Sequence, residues 1–282
     1  MIDLSRPFQF SQSNLQDFND CRRRFYLRYI LQISWPAAEA EPLIDHEIWM
    51  RQGAEFHQMI HQFLLGVPGE MLSKQAVKEP LQDWWANFLN YKSNLLGMDD
   101  PKSRHLPEFS LSAHLGKFSL IAKFDLLIIL PETTILIYDW KTSRQRPKRA
   151  FLKQRLQTLV YPVMASLCSP ALLNSSEGEM PIIRMNYWFA GFPDKPEVFN
   201  FDRQALDGAS RQLEALMSTI SRLIPVGEEA FPLTDDHKKC THCIYRSLCN
   251  RGTHAGLFSE ADQAEDLAEV ALDLEQIGEI EY

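Results

Sequence analysis

Four small groups of residues in this 282-residue chain have the types and spacing that chemistry requires. The stretch ILIYDWKTS, residues 135–143, is an apolar run that stops on Asp139, Trp140, Lys141 and Thr142. Residues i and i+2 of a strand share a face, so Asp139 sets a carboxylate beside the Lys141 ammonium. Asp125 lies upstream in LIAKFDLLIIL, and a hairpin would set the two acids on neighbouring strands. Two carboxylates with a lysine between them make an oxygen-rich seat for Mg²⁺ or Mn²⁺, with the lysine placed to orient or deprotonate a water. A D-x-K pair alone is also what an exposed strand carries as a surface ion pair, so the partners decide.

The partners come from two helical segments. RQGAEFHQMIHQF places Gly53, His57 and His61 on one helix. HQMIH has the histidine spacing of a zinc hydrolase, but Gln58 stands where that chemistry needs a glutamate base, which excludes it. Downstream of the lysine, Gln157 and Tyr161 are four apart and share a helical face that can aim an amide and a phenol at the same site, or can simply pack. The last group is CTHCIYRSLC, with Cys240, Cys243 and Cys249. Three sulfurs need a fourth ligand, from Cys21, Cys168, His237 or His242, and spacing alone leaves zinc and iron–sulfur both open. Five cysteines, odd in number and unevenly spread, point to metal ligation or burial rather than to a disulfide framework.

These groups need elements to position them. SQSNLQDFNDCRRRFYLRYI reads as an opening helix with Ser11 or Ser13 as N-cap and apolar positions at Leu15, Phe18, Phe25 and Tyr29. Residues 47–65 and 79–96 read as two more helices. After Pro107 the pattern changes to strands at 108–116, 117–130 and 133–142. A helix over 150–167, strands at 181–190 and 197–202, and an amphipathic helix over 206–223 complete an α/β core. The expected division is a single domain over 1–258, in which 31–105 is a mostly helical insertion, 106–202 the catalytic core and 203–250 a final helix with the cysteine cluster. Residues 259–282 form an acidic tail.

Charge is unevenly divided. Residues 259–282 hold nine acids and no base, so removing them from the net charge of −8 leaves +1. From Trp140 to Ser176 there is no acid and there are seven bases, among them Arg144, Arg146, Lys148 and Arg149. That is the footprint of a polyanion site, or a solvated helix start. Arg22 and Arg24, interleaved with Tyr26, would suit a single nucleic-acid strand that needs cations for phosphates and rings for bases. The acidic tail is expected to be solvated, or else to dock on a partner or cover the basic groove. No G-x-x-x-x-G-K-[ST] occurs, so a helicase motor would be a separate partner. No apolar run reaches the length of a membrane span, and the first residues lack the layout of a secretory signal, from which a cytoplasmic location is expected.

Taken in order, GAEFH, AKFD, DWK and QTLVY resemble the RecB-type nucleases of the PD-(D/E)xK superfamily. The resemblance implies a restriction-endonuclease-like core, a mixed central sheet flanked by helices, with an N-terminal helical insertion and a C-terminal stapled segment. It implies that His57, Asp125, Asp139 and the backbone carbonyl of Trp140 ligate the catalytic Mg²⁺ or Mn²⁺. Lys141 would then activate or orient the attacking water, and Gln157 and Tyr161 would position the DNA strand. Ala122 stands where the family often has glycine, and a second acid often found just after Asp125 is absent. CRISPR-associated exonucleases and the B subunit of the AddAB helicase–nuclease have one cysteine before the core and three after it. Cys21, Cys240, Cys243 and Cys249 are similar to that set, although Arg22 replaces a common proline. This implies a [4Fe–4S] staple, with zinc the alternative and Cys168 an inert buried thiol. The activity implied is a metal-dependent deoxyribonuclease, an exonuclease on single-stranded or frayed DNA ends, working in repair, recombination or CRISPR adaptation. The rival expectation is a non-catalytic DNA-binding or assembly subunit that keeps the fold and the cluster.

Overall fold

The computed structural model describes residues 8–34, 41–95, 100–131, 133–173, 181–241 and 243–252, with the backbone alone for 41–47. His242 and the acidic tail lie outside the described residues. β1 (Gln9–Ser11) leads into α1 (Gln12–Asp20). Ser11, one of the two expected caps, accepts the Asn14 N–H at 3.3 Å while the Asn14 side chain accepts the Ser11 N–H at 3.0 Å, a reciprocal capping box. The opening helix does not run on unbroken. Cys21 takes an extended conformation (φ −158°, ψ 108°), and the chain resumes as α2 (Arg22–Phe25) and a π-helical turn over Tyr26–Ile30.

The helical insertion consists of α3 (Glu41–Leu64), the short α4 (Gly69–Ser73) and α5 (Leu81–Tyr91). There follow β2 (Arg104–Leu115), β3 (Phe118–Leu130) and β4 (Thr134–Lys141), then α6 (Arg149–Gln154), α7 (Leu156–Leu167) and α8 (Ser169–Leu173). The helix expected over 150–167 is therefore two helices, parted where Arg155 is extended. β5 (Ile182–Phe189), β6 (Glu197–Phe201) and α9 (Arg203–Leu223) complete the fold.

The six strands form one mixed sheet in the order β1-β3-β4-β5-β6, with β2 along the other edge of β3. β4 and β5 are parallel, as are β1 and β3, and the remaining pairs are antiparallel. One face of the sheet packs α1, α2, α7 and α9 through Leu15, Phe25, Phe124, Val160, Leu213 and their neighbours. The other packs the insertion helices through Phe56, Ile60, Trp84 and Phe88 against Leu126, Leu136, Trp140 and Trp188. The insertion is thus one of the two apolar layers that cover the sheet. β1 escapes sequence reading because three residues are too few to show alternation.

Two irregularities in this sheet build the site. β3 pairs with β1 over residues 119–121 and with β4 only from Leu126 onward, so residues 122–125 have no ladder partner on that edge. The side-chain alternation also slips. In β3, residues 120, 122 and 124 face the α7 side, but so do 127 and 129; in β2, Leu106 faces that side and so do Phe109 and Leu111. The slip falls on Asp125 and, directly across the β2–β3 register, on Glu108, whose φ is +49°.

Candidate active site and cysteine cluster

Where β3 and β4 part, the gap is bridged by a side chain. Asp125 Oδ2 accepts the Trp140 backbone N–H at 2.7 Å, which replaces the missing ladder bond. Its other oxygen lies 3.3 Å from His57 Nδ1 on α3. One residue along β4 from its last ladder pair with β3, Asp139 is buried at 3% exposure, with Oδ1 accepting from Gln157 Nε2 at 2.7 Å and Oδ2 3.0 Å from Lys141 Nζ. His57, Asp125, Asp139, Lys141 and Gln157 therefore converge on one cleft, drawn from α3, β3, β4 and α7.

The electrostatics follow from these contacts. Burial disfavours a charged His57, but the adjacent Asp125 outweighs it and pushes the imidazole up to about 9. Burial works against Asp125 as well, yet His57, the Trp140 N–H and Lys141 together hold its carboxyl below the usual range. Glu108 joins this group: a carboxylate oxygen of Glu108, a ring nitrogen of His57 and a carboxylate oxygen of Asp125 all lie within 4.8 Å of one another. A nitrogen donor and two hard oxygen donors at this separation suit a divalent cation, so the residues present fit the metal that the sequence implies. Glu108 was missed in the sequence. The signal was there, since a hairpin turning at Gly116–Lys117 in this register sets residue 108 opposite 125.

A sequence model described as "PD-(D/E)XK nuclease superfamily" matches residues 9–250. The chain belongs to the PD-(D/E)XK nuclease superfamily. Membership implies phosphodiester hydrolysis by a divalent-metal nuclease, with DNA as substrate. Among solved structures, a "Putative exonuclease" from Eubacterium rectale shares 12% identity over 77% of this chain and 82% of its own, at a TM-score of 0.47. The structure of SSO0001 shares 14% identity over 87% and 89%, at a TM-score of 0.39. No curated protein matches the chain.

In this PD-(D/E)XK nuclease the residues expected to grip DNA are only partly on the surface. Gln157 and Tyr161 are both buried, Tyr161 with its ring 4.6 Å from that of Phe124. Gln157 donates to Asp139 and Tyr161 packs on Phe124, so the contacts shown for both are with the protein. Arg24 and Tyr26 are also inside, not on a DNA-facing surface. Arg24 pairs with Asp17 at 2.8 Å and Asp20 at 3.2 Å, and Tyr26 stacks on Phe231. The helical repeat that put Phe25 and Tyr29 in the core carries Arg24 and Tyr26 there too, once Cys21 has reset the helix. Arg146 and Arg149 both pair with Glu197 of β6, so two of the seven bases are spent on holding the sheet edge. Arg144, Lys148 and Arg22 are exposed, Arg144 4.2 Å above the Trp49 ring and Arg22 5.2 Å above that of Phe18.

The four cysteines of the expected set share one electrostatic neighbourhood. Burial raises the thiols of Cys240, Cys243 and Cys249, Cys243 to about 11, and Cys21 acts on all three. Arg24 draws Cys240 and Cys243 the other way. Cys21 sits at the α1–α2 break and the other three follow α9, in turns where the Cys243 N–H donates to Cys240 O and the Cys249 N–H to Tyr245 O. Protein contacts hold the same junction: Lys239 to Asp20 at 2.8 Å, and Tyr245 OH to the Ile33 carbonyl at 2.8 Å. His237 contacts the Arg251 guanidinium, a cationic neighbour that disfavours a metal there. Cys168 ends α7 against the core shared by α1, α7 and α9, its thiol raised by burial alone. Among the described residues no helix is long and apolar enough to cross a membrane.

Proposed function

We propose that this chain is a RecB-type, metal-dependent DNA exonuclease acting on single-stranded or frayed ends, with a [4Fe–4S] cluster held by Cys21, Cys240, Cys243 and Cys249. The observation that carries the reading is the convergence of Asp139, its two partners Lys141 and Gln157, and the Asp125–His57 pair at the point where β3 and β4 diverge. His57, Asp125, Asp139 and the Trp140 carbonyl are the groups assigned to the cation. When bound, a divalent cation neutralises the repulsion between an anionic nucleophile and an anionic phosphate and acidifies its water.

The remaining work falls to the side chains. Gln157 holds the Asp139 carboxylate by donating its amide N–H to Oδ1 within the buried core. Lys141, 18% exposed at the floor of the cleft, brings a positive charge to the place where charge develops on the phosphate oxygens. Its amine also orients the attacking water in line with the leaving oxygen, and the products carry 5′-phosphate and 3′-hydroxyl ends. Exposed Arg144, Lys148 and Arg22 supply cations for the strand.

For the cysteine set the reading rests on the resemblance of Cys21, Cys240, Cys243 and Cys249 to the four-cysteine nucleases, which implies a [4Fe–4S] cluster with zinc as the alternative. The cluster is structural, joining the opening helices to the last described segment of a single nuclease domain over 1–258. The pathway is recombinational repair or CRISPR adaptation, beside a separate helicase or adaptation partner.

End-labelled single- and double-stranded DNA incubated with Mn²⁺ or Mg²⁺ tests the activity, wild type against Asp139→Asn. Equal degradation by both proteins assigns the activity to a contaminant and removes the catalytic reading. Degradation by neither favours a DNA-binding subunit. Anaerobic purification separates the metals, because an iron–sulfur protein is brown and a zinc protein colourless.

A further inference from the structure

Glu108 occupies a position that packing alone does not ask for. β2 and β3 run in register on both sides of it, yet at this one level both strands slip in their alternation, and Glu108 and Asp125 face each other out of step with their neighbours. Like charges directly opposite on paired strands repel. Here they are held together by two cationic partners: His57 Nδ1 at 3.3 Å from Asp125, and Lys123 Nζ at 2.7 Å from Glu108 Oε2. Donor atoms of His57, Glu108 and Asp125 lie within 4.8 Å of one another. Donors on opposite sides of one Mn²⁺ or Mg²⁺ stand about 4.2 Å apart, so a small closing movement would put all three in contact with a single ion.

We propose that Glu108 is a ligand of the divalent cation, and that Lys123 holds its place until the cation arrives. The proposal rests on the nuclease reading above and adds a residue to its metal site. Lys123 suits a temporary counter-charge, being 40% exposed on a flexible four-carbon stem that can swing into water. Glu108 is 22% exposed and fixed by its strand. Exchange of one ammonium for a doubly charged ion leaves the three carboxylates of the cleft, Glu108, Asp125 and Asp139, better balanced than before. Asp125 keeps its Oδ2 on the Trp140 N–H throughout, so the sheet need not open.

The test measures binding without DNA: full-length protein is titrated with Mn²⁺ at fixed pH, and free Mn²⁺ is followed by electron paramagnetic resonance. Wild type, Glu108→Gln, Lys123→Met and Asp139→Asn are compared. Glu108→Gln is expected to weaken Mn²⁺ binding by about tenfold or more. Lys123→Met is expected to tighten it. Both substitutions delete the same ion pair, so a merely structural role would move them in the same direction. Unchanged binding in Glu108→Gln, or weaker binding in Lys123→Met, overturns the proposal while leaving the nuclease reading intact. Absence of Mn²⁺ binding in the wild type overturns both.

Discussion

Asp139 has little freedom, because one oxygen is fixed by Gln157 and the other faces Lys141. A hydrogen bond to a buried charged group is worth about 1.5–3 kcal/mol, so Gln157→Leu should cost about ten- to a hundredfold in DNA cleavage, read as turnover at saturating Mn²⁺. Lys141→Met should lower turnover by about a hundredfold or more while Mn²⁺ still binds, which separates its role from that of a ligand. His57 makes the site sensitive to pH in a definite direction. A histidine must be neutral to ligate, and its folded value of about 9 lies above the ordinary 6.5. Mn²⁺ affinity should therefore climb, by up to about tenfold per unit, as pH rises toward 9 and then level off. Metal-free stability should move the other way. The His57–Asp125 pair contributes fully below the unfolded histidine value and is lost as pH rises through about 9, a trend that chemical denaturation at several pH values would reveal.

At the scale of elements, α3 reaches the cleft because Gly53 lets the loop after β4 lie against it. A Cβ on Gly53 would stand 2.9 Å from Thr142 Oγ1, and the Trp49 indole N–H donates to the Thr142 carbonyl at 3.0 Å. Gly53→Ala should lower turnover by displacing Thr142 and, with it, Lys141 one residue away. The double substitution with Thr142→Ala should restore it. The neighbours of Asp139 were legible in the sequence because strand and helix periodicity place them on shared faces. Period alone could not locate Glu108, whose side chain is aimed by a slip in that very period. Arg24 and Tyr26 were misplaced for a related reason. A run of bases reads as surface, but the break at Cys21 turns this part of the helix inward, where Asp17 and Asp20 supply the missing counter-charge.

Across the whole molecule, the opening helices and the last described turns are joined by ionic contacts around Asp17, Asp20, Arg24 and Lys239. Burial works against the charge on Arg24, but Asp17 and Asp20 outweigh it and bind its proton more firmly. Asp17→Ala would take away the nearer of the two acids that hold this guanidinium, leaving Asp20, and should destabilise the fold by about 1–3 kcal/mol, seen as an earlier urea midpoint. On the proposed [4Fe–4S] reading, Cys21→Ser should give a colourless protein that melts at lower temperature, while Lys239 and Tyr245 still tie the last described turns to the opening helices. The ion pair between Asp20 and Lys239 spans 219 positions of the chain. At ~5–20 residues per second a ribosome needs roughly 10–45 s to pass from one to the other. Throughout that interval the nascent helix carries acids and an arginine shaped for a lining that has yet to be made, so a message cut short anywhere in between yields a product that quality-control proteases should clear.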